Sequence, residues 1–439
     1  MLQSLGPWQY RIEDRLGGGG LAQTFRCTHP DLPGKFAIKI LKNTAHVNTL
    51  LREVRALIAI DGFAGVPALI DHGRDKHGQL CMVTTLMPGV RLDHHVRRTG
   101  PLSSADTLDV VQQLLAILQH AHSKGLLHKD IKHSNILLEG HRVSLIDWGA
   151  SEFTHELPSE TLRAKSSYMA PECYFGQHGP ASDFYSLGWL AVYLATGCEP
   201  FHCSEVKDKH YWAVAHLLEQ PHWPSDLPQE VSAVALQWLA RSPSLRNIAY
   251  DLTQLKKTCL PFAVNAERET IEFEAIVGQD YLLLGAEHGA TTFQCELANR
   301  LLDSGQPEAA LAWLEAAAKQ GYPRAQRLLS KALPDDAEHA RRKHQLLQSA
   351  AEAGSPAAHY RLAKAMLRQG ASCSPGSPIR KQLEFAASTG QAGALELLAR
   401  HLPPLSSRLA LELAAESGHP AAIKALQKQD RCKKTPDIH

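Results

Sequence analysis

The chain has 439 residues, 44% hydrophobic and 21% charged, the proportions of ordinary globular domains and length enough for two or three of them. Its 46 Lys and Arg almost balance 45 Asp and Glu, and a formal net charge of +1 excludes a global basic field that would recruit nucleic acid or an anionic membrane. Nine scattered cysteines lack any C-x-x-C pair, with Cys198, His202 and Cys203 as the one weak ligand-like group, so free thiols in a reducing compartment are expected and a zinc site is not. No run reaches the roughly 20 apolar residues that span a bilayer. Met1-Leu2-Gln3-Ser4 lacks the basic and apolar regions of an export signal, which makes a soluble, cytoplasmic protein the expectation.

Tyr10 to Leu16 alternates as a strand does, runs into Gly17-Gly18-Gly19-Gly20-Leu21-Ala22, and Thr24 to Cys27 resumes the strand pattern. Backbone amides without side chains can approach a phosphate closely, although a glycine run alone is more often a flexible loop. Lys35 to Ile40 reads as a third strand, with Lys39 in an otherwise apolar segment where an ammonium is costly unless it meets an anion. Leu50 to Ile58 predicts a helix with Leu50, Val54, Leu57 and Ile58 on one face and Glu53 beside it, a natural partner for Lys39. Val66 to Asp71 and Gln79 to Gly89 add two strands, the second ending at Pro88-Gly89. The result is a small antiparallel sheet domain, with Thr85 to Met87 as its connector to something larger.

Ser103 to Ser123 predicts a long helix, capped by Ser103 or Ser104 and stopped by Lys124-Gly125. Directly after it, Leu127-His128-Lys129-Asp130-Ile131-Lys132-His133-Ser134-Asn135 sets a carboxylate, a lysine and an amide within a few residues, a grouping suited to a charged oxygen nucleophile. Ile136 to Leu138 and Val143 to Ile146 then predict a hairpin that delivers Asp147-Trp148-Gly149.

In this order these segments resemble the eukaryotic-type Ser/Thr protein kinases over about residues 10 to 258. Gly17 to Ala22 resembles the phosphate loop, Ala37-Ile38-Lys39 the lysine strand, and Glu53 the helix glutamate. His128-Lys129-Asp130 with Asn135 resembles the catalytic loop, Asp147-Trp148-Gly149 stands at the metal position, and Ala170-Pro171-Glu172 closes the activation segment. The resemblance implies an α+β bilobal fold, ATP as phosphoryl donor, and Mg²⁺ (or Mn²⁺ in its place) on Asn135 and Asp147. It implies that Gly17, Gly18, Gly19, Gly20, Lys39, Glu53, Thr85 and Met87 bind the nucleotide. Asp130 would receive the substrate hydroxyl, Lys132 would stabilise the transferring phosphoryl, and Lys39 would grip the α- and β-phosphates. A lysine at 132 resembles Ser/Thr rather than Tyr kinases.

Four departures from the family pattern stand out. Ala22 replaces the third loop glycine, Trp148 the usual phenylalanine, and Lys165 a threonine of the activation segment. Lys129 replaces the arginine whose planar fork clamps a phosphorylated loop, and a lysine is only a point charge. Candidate phosphorylation positions are Ser159, Thr161, Ser166 and Ser167. Further on, Ser182 to Leu194 is apolar nearly all round and predicts a buried helix, Asp183 resembles the aspartate that caps the catalytic loop, and Arg246 the arginine that pairs with Glu172.

The last third is Ala- and Leu-rich and repeats itself around Gly289, Gly321, Gly354, Gly390 and Gly418, at intervals of 32, 33, 36 and 28. Alanine lies three before each (Ala286, Ala318, Ala351, Ala387, Ala415) and leucine eight after (Leu297, Leu329, Leu362, Leu398, Leu426). Alanine also lies four after each glycine (Ala325, Ala358, Ala394, Ala422) except at Phe293. Such units predict helix-turn-helix pairs that must stack to bury their apolar faces, and they resemble the Sel-like branch of the tetratricopeptide superfamily. An ordinary alanine-rich bundle is the alternative.

The expected layout is a small lobe at 1–88, a large helical lobe at 89–260, a linker at 261–275, an all-α solenoid at 276–429 and a polar tail at 430–439. The expected partners are a protein substrate and a protein held on the repeats, without nucleic acid or membrane. Two other classes remain at this stage: a catalytically weak or inactive kinase-like scaffold that binds nucleotide and works through its repeats, and a small-molecule kinase.

Overall fold

The computed structural model describes residues 9–18, 20–42, 47–75, 78–155, 167–201, 211–218, 221, 223–254, 280–388, 391–416 and 419–433. Gly19, Ser159, Thr161, Lys165, Ser166, His202, Cys203, Gly390 and Gly418, singled out above, lie outside these, as does the linker at 261–275. The chain divides into two compact units, Met1–Ile40 with Thr49–Leu297 and Leu41–Asn48 with Ala298–His439.

In the first unit β1 (Arg11–Gly18), β2 (Ala22–His29), β3 (Leu32–Leu41), β4 (Leu69–Arg74) and β5 (Leu80–Thr85) make one sheet in the order β1-β2-β3-β5-β4. β1 and β2 run antiparallel, as do β3 and β4 against β5. Phe36 and Ile38 face the same side and bury with Tyr10, Cys27, Cys81 and Val83. Side chains alternate along a strand, so Lys39 leaves by the opposite face.

Helix α1 (Val47–Ala59) buries Leu50, Val54 and Leu57, but Ile58, expected on the same face, is 58% exposed. The helix is turned so that Glu53, Ala56 and Ile60 complete the buried face, with Glu53 only 4% exposed. At 100° per residue this rotation carries Ile58 outward. A glutamate tolerates such burial because Lys39 meets it.

After β6 (Val90–Arg91) and α2 (Leu92–Thr99), α3 runs from Ser104 to Ser123. Ser103 is its cap, its hydroxyl accepting from Asp106 N at 3.1 Å. β7 (Leu126–Leu127) pairs with β10 (Glu152–Phe153), and between them β8 (Ile136–Glu139) and β9 (Arg142–Leu145) form the predicted antiparallel hairpin. In α4 (Pro180–Thr196) every residue from Ala181 to Leu194 is buried. A Cβ on its Gly188 would stand 2.8 Å from Leu239, so glycine sets that approach. Two short helices follow, α5 (Tyr211–Leu218) and α6 (Gln229–Ala235).

The helix pair α7 (Tyr281–Glu287) and α8 (Thr291–Asp303) packs on this lobe. Thr292 Oγ1 donates to Tyr174 O at 2.5 Å, and the Tyr174–Phe293 and Tyr211–Tyr281 rings meet edge-on.

In the second unit consecutive helices pack each on the next: α9 (Pro307–Lys319), α10 (Pro323–Ala332), α11 (Ala337–Glu352), α12 (Pro356–Arg368), α13 (Pro378–Ser388), α14 (Ala392–Ala399), α15 (Pro404–Glu416) and α16 (Pro420–Lys433). Gly321 and Gly354 take positive φ, 77° and 80°, and end α9 and α11 as the spacing predicted. No described helix is long and apolar enough to cross a membrane.

The alanine columns explain the close helix crossings. Ala325, Ala358, Ala394 and Ala422 are all 0% exposed, but on the facing helices the fully buried alanines are Ala317, Ala350, Ala386 and Ala414, one residue before the expected column, whose Ala318, Ala387 and Ala415 are half-buried. The first copy instead has Phe293, and the facing position is Gly285, where a Cβ would lie 2.1 Å from the Phe293 ring. Large against absent side chain replaces small against small. Gly285→Ala should therefore destabilise by about 1–3 kcal/mol through overpacking, whereas in a Phe293→Ala background the same change should cost nothing or stabilise. A urea-unfolding double-mutant cycle reads that coupling, and additive effects would contradict it.

Candidate active site

Two clusters of the predicted residues form. In the first, Lys39 Nζ lies 2.6 Å from Glu53 Oε2 and 2.8 Å from Asp147 Oδ1. Lys39 comes from β3, where it pairs with Met82 of β5, and Glu53 from the inward face of α1. Burial would lower the Lys39 ammonium, but the carboxylates of Glu53 and Asp147 outweigh it and hold the group above the ordinary lysine value. Burial pushes the Glu53 carboxyl up to about 7 against the pull of Lys39, and the Trp148 backbone N–H also donates to it. For Asp147 the burial effect is exceeded by Lys39, with Lys132 and His128 adding to it, and the carboxyl is held below the usual range. A Cβ at Gly149 would stand 3.2 Å from Glu53 Oε2 and 3.3 Å from Asp147 Oδ1, which is why glycine follows Trp148.

In the second cluster, Lys132 Nζ is 2.7 and 3.0 Å from the two oxygens of Asp130. Asn135 Nδ2 donates to Asp130 O at 2.8 Å and to Asp130 Oδ2 at 3.0 Å. The amide nitrogen is thus committed, leaving the Asn135 oxygen as the acceptor. With Asp147, whose side chain is 47% exposed and whose Oδ1 faces Lys39, it makes a donor set of hard oxygens. That set fits Mg²⁺ or Mn²⁺ and would not suit a soft metal.

The backbone beneath these side chains is strained. Lys129 and Asp147, with φ of 66° and 64°, are the non-glycine residues at positive φ among those described. Asp183 of α4 secures the first: its Oδ2 accepts from His128 N at 2.9 Å and its Oδ1 from Lys129 N at 2.8 Å. His122 Nε2 meets the same Oδ2 at 2.9 Å, and His122 Nδ1 meets the Tyr250 hydroxyl at 2.8 Å. Trp148 is fully buried, anchored by Nε1 to Leu145 O and packed edge-on against His128.

The Lys129 ammonium turns inward to form an ion pair with the Glu152 carboxylate of β10, the two side chains being 13% and 5% exposed. Farther out, Arg246 grips Glu172 through two parallel bonds of 2.6 and 2.8 Å, with its guanidinium over the Tyr185 ring. Of the candidate phosphorylation positions, Ser167 is described, and its carbonyl accepts from His216 Nε2 at 2.7 Å.

The glycine loop is carried by the β1–β2 turn, where Gly17 pairs with Thr24 and Gly18 with Gln23. A Cβ on Gly18 would stand 2.9 Å from Ala22 O, while Gly17 and Gly20 face open space. Thr85 pairs with Phe36, and its hydroxyl accepts from Ala68 N at 3.0 Å and donates towards Met87 Sδ. Sequence reasoning missed Glu152, His122 as the hydrogen-bond partner of Asp183, and Tyr250. Of these, only the polar His122 on the apolar side of α3 left a signal.

Comparisons with known proteins identify the family. The family model described as protein kinase domain matches residues 10–264. The serine/threonine-protein kinase PknA of Mycobacterium tuberculosis is 28% identical over 253 residues, 54% of this chain and 58% of that protein. Serine/threonine-protein kinase pkn3 of Myxococcus xanthus is 27% identical over 236 residues, 50% and 42% of the two chains. Serine/threonine-protein kinase PknK of Mycobacterium bovis is 29% identical over 246 residues, 53% and 22%. The chain thus spans less than two thirds of each of these relatives.

Asp183 yields a test of the loop anchor. Burial would raise its carboxyl, but the His122 bond and the His128 backbone donor outweigh it and hold it below the ordinary aspartate value. Its stabilisation is therefore complete above about pH 4 and is lost as pH falls through the lower native value. Asp183→Asn should cost about 3 kcal/mol at pH 7, with the gap to wild type narrowing toward pH 3 in urea unfolding. A gap independent of pH would contradict the assignment.

Proposed function

From a chain that belongs to the protein kinase family, we propose an ATP-dependent Ser/Thr protein kinase whose helical tail recruits a protein partner or substrate. The observation that carries the reading is that Lys39, Glu53 and Asp147 meet in one cluster and Asp130, Lys132 and Asn135 in another. Phosphoryl transfer passes through a loose transition state, so positioning and charge do most of the work. Lys39, held by Glu53, grips the α- and β-phosphates, while the backbone of Gly17 to Gly20 covers them and Thr85 and Met87 border the base. Asn135 and Asp147 hold Mg²⁺, which when bound neutralises charge on the phosphate oxygens. Asp130 orients the substrate hydroxyl and receives its proton, and Lys132 stabilises the phosphoryl group in transit.

Lys129 belongs to the same reading. Its buried charge is answered from within the chain by Glu152, so the catalytic loop is set without a phosphate on the activation segment. The region after the linker is read as a solenoid of Sel-like repeats, and the protein as cytoplasmic. A scaffold without turnover is disfavoured by the family match and the serine/threonine kinases similar to this chain, and the contacts of Lys39 with Asp147 and of Asn135 with Asp130 support the same side.

Purified protein should transfer labelled γ-phosphate from ATP to protein hydroxyls in the presence of Mg²⁺. Asp130→Asn and Asp147→Ala should each lower that rate by a hundredfold or more, on the order expected for a positioned acid–base group. Wild-type transfer that survives both changes would overturn the site, and transfer to a metabolite but not to peptides would reassign the substrate class. Glu152→Ala should strand the Lys129 charge, lowering transfer about tenfold through loop misplacement while leaving nucleotide affinity near wild type.

A further inference from the structure

Where α10, α11 and α12 meet, a groove of about 390 Å³ is lined by Lys331, Lys343, Arg361, Lys364 and Arg368 together with Tyr360. Asp335 is the one carboxylate in its wall, and Leu347 and Ala365 form an apolar part of it. On α12 Lys364 and Arg368 sit at i and i+4, so like charges are neighbours along one face, and across the groove five cations stand against the single carboxylate of Asp335. Several arginines of the tail outside the groove are paired with a carboxylate. Arg342 lies 2.6 Å from Glu315, Arg380 2.6 Å from Glu384, Arg400 2.6 Å from Glu396 and Arg408 2.9 Å from Glu412. In a chain of formal net charge +1, the concentration of cations at this groove is local.

The groove is also preorganised. Lys343 Nζ is tethered to Asp335 Oδ1 at 2.6 Å and to Pro334 O at 3.3 Å. Lys364 lies over the Tyr360 ring, 5.5 Å from its centroid. Tyr360 is pinned in turn by α14: a Cβ on Gly393 would lie 2.8 Å from Tyr360 Cζ, so glycine makes room for the ring. Lys343 and Lys364, held in this way beside a rigid aromatic wall, lose little freedom on binding.

We propose that this groove captures an acidic peptide segment of the protein partner or substrate, its carboxylates meeting Lys331, Arg361, Lys364 and Arg368 and an apolar side chain resting on Leu347 and Ala365. The inference deepens the reading of the tail as a recruitment module. A nucleic acid fits less well, since the cations are confined to three helices and the single aromatic wall is already engaged by Lys364.

The test uses the full-length protein and a fluorescein-labelled hexapeptide of Glu and Asp with one Phe. The peptide should bind, more weakly as salt rises. Lys364→Gln with Arg368→Gln should weaken binding at least about tenfold, while Lys424→Gln with Lys428→Gln, which removes two exposed charges of α16 outside the groove, should leave it near wild type. Melting temperature and transfer to a generic peptide should be unchanged in both. No binding by wild type, equal loss in the two double variants, or displacement of the peptide by an oligo-dT that binds more tightly would each overturn the proposal. Transfer that is absent while peptide binding persists would count against the phosphotransferase reading alone.

Discussion

The Asp183 carboxylate is the constraint on which the loop from His128 to Asn135 depends. Its two oxygens take the backbone N–H groups of His128 and Lys129 and the ring of His122. Those contacts hold Lys129 at a φ of 66°, a conformation that costs a non-glycine residue of order 1–3 kcal/mol. With the loop fixed, Asn135 reaches back to Asp130, and both side chains acquire one orientation. Asp183 itself is steadied by the fully buried α4, so a helix remote in sequence determines where the carboxylate of Asp130 points.

Charge neutralisation is the second organising principle. Each buried ion at the site has a specific counter-ion: Lys39 has Glu53 and Asp147, Lys129 has Glu152, and Arg246 has Glu172. Such pairs contribute modestly to stability once desolvation is counted, but losing one partner leaves an uncompensated charge and is costly. They therefore act as registration devices, linking β3 to α1, the catalytic loop to β10, and the Glu172 turn to the segment after α6.

Much of this was legible in the sequence because it is local or strongly typed. The lysine in an apolar strand demanded an anion, the Ser103 cap and helical period marked α3, and the hairpin before Asp147 followed from two short apolar runs. The glycine spacing foretold the turns after α9 and α11. What escaped depends on three-dimensional rotation and on pairs distant in sequence. Ile58 belonged by period to the buried face of α1, yet the Lys39–Glu53 pair turned the helix away from it. Glu152 looked like any strand-end glutamate until β10 paired with β7 and brought it under Lys129. The exception at Phe293 became intelligible only when Gly285 was found opposite it.

Under the proposed function these internal contacts assemble a phosphoryl-transfer site in the unmodified chain. Phosphatase-treated protein, verified phosphate-free by mass spectrometry, can be mixed with ATP, Mg²⁺ and a peptide substrate, and product followed from the first turnover. Linear product formation from the first turnover, without a lag, is the predicted result. A lag that tracks autophosphorylation, or no transfer until the chain is phosphorylated, would contradict the account.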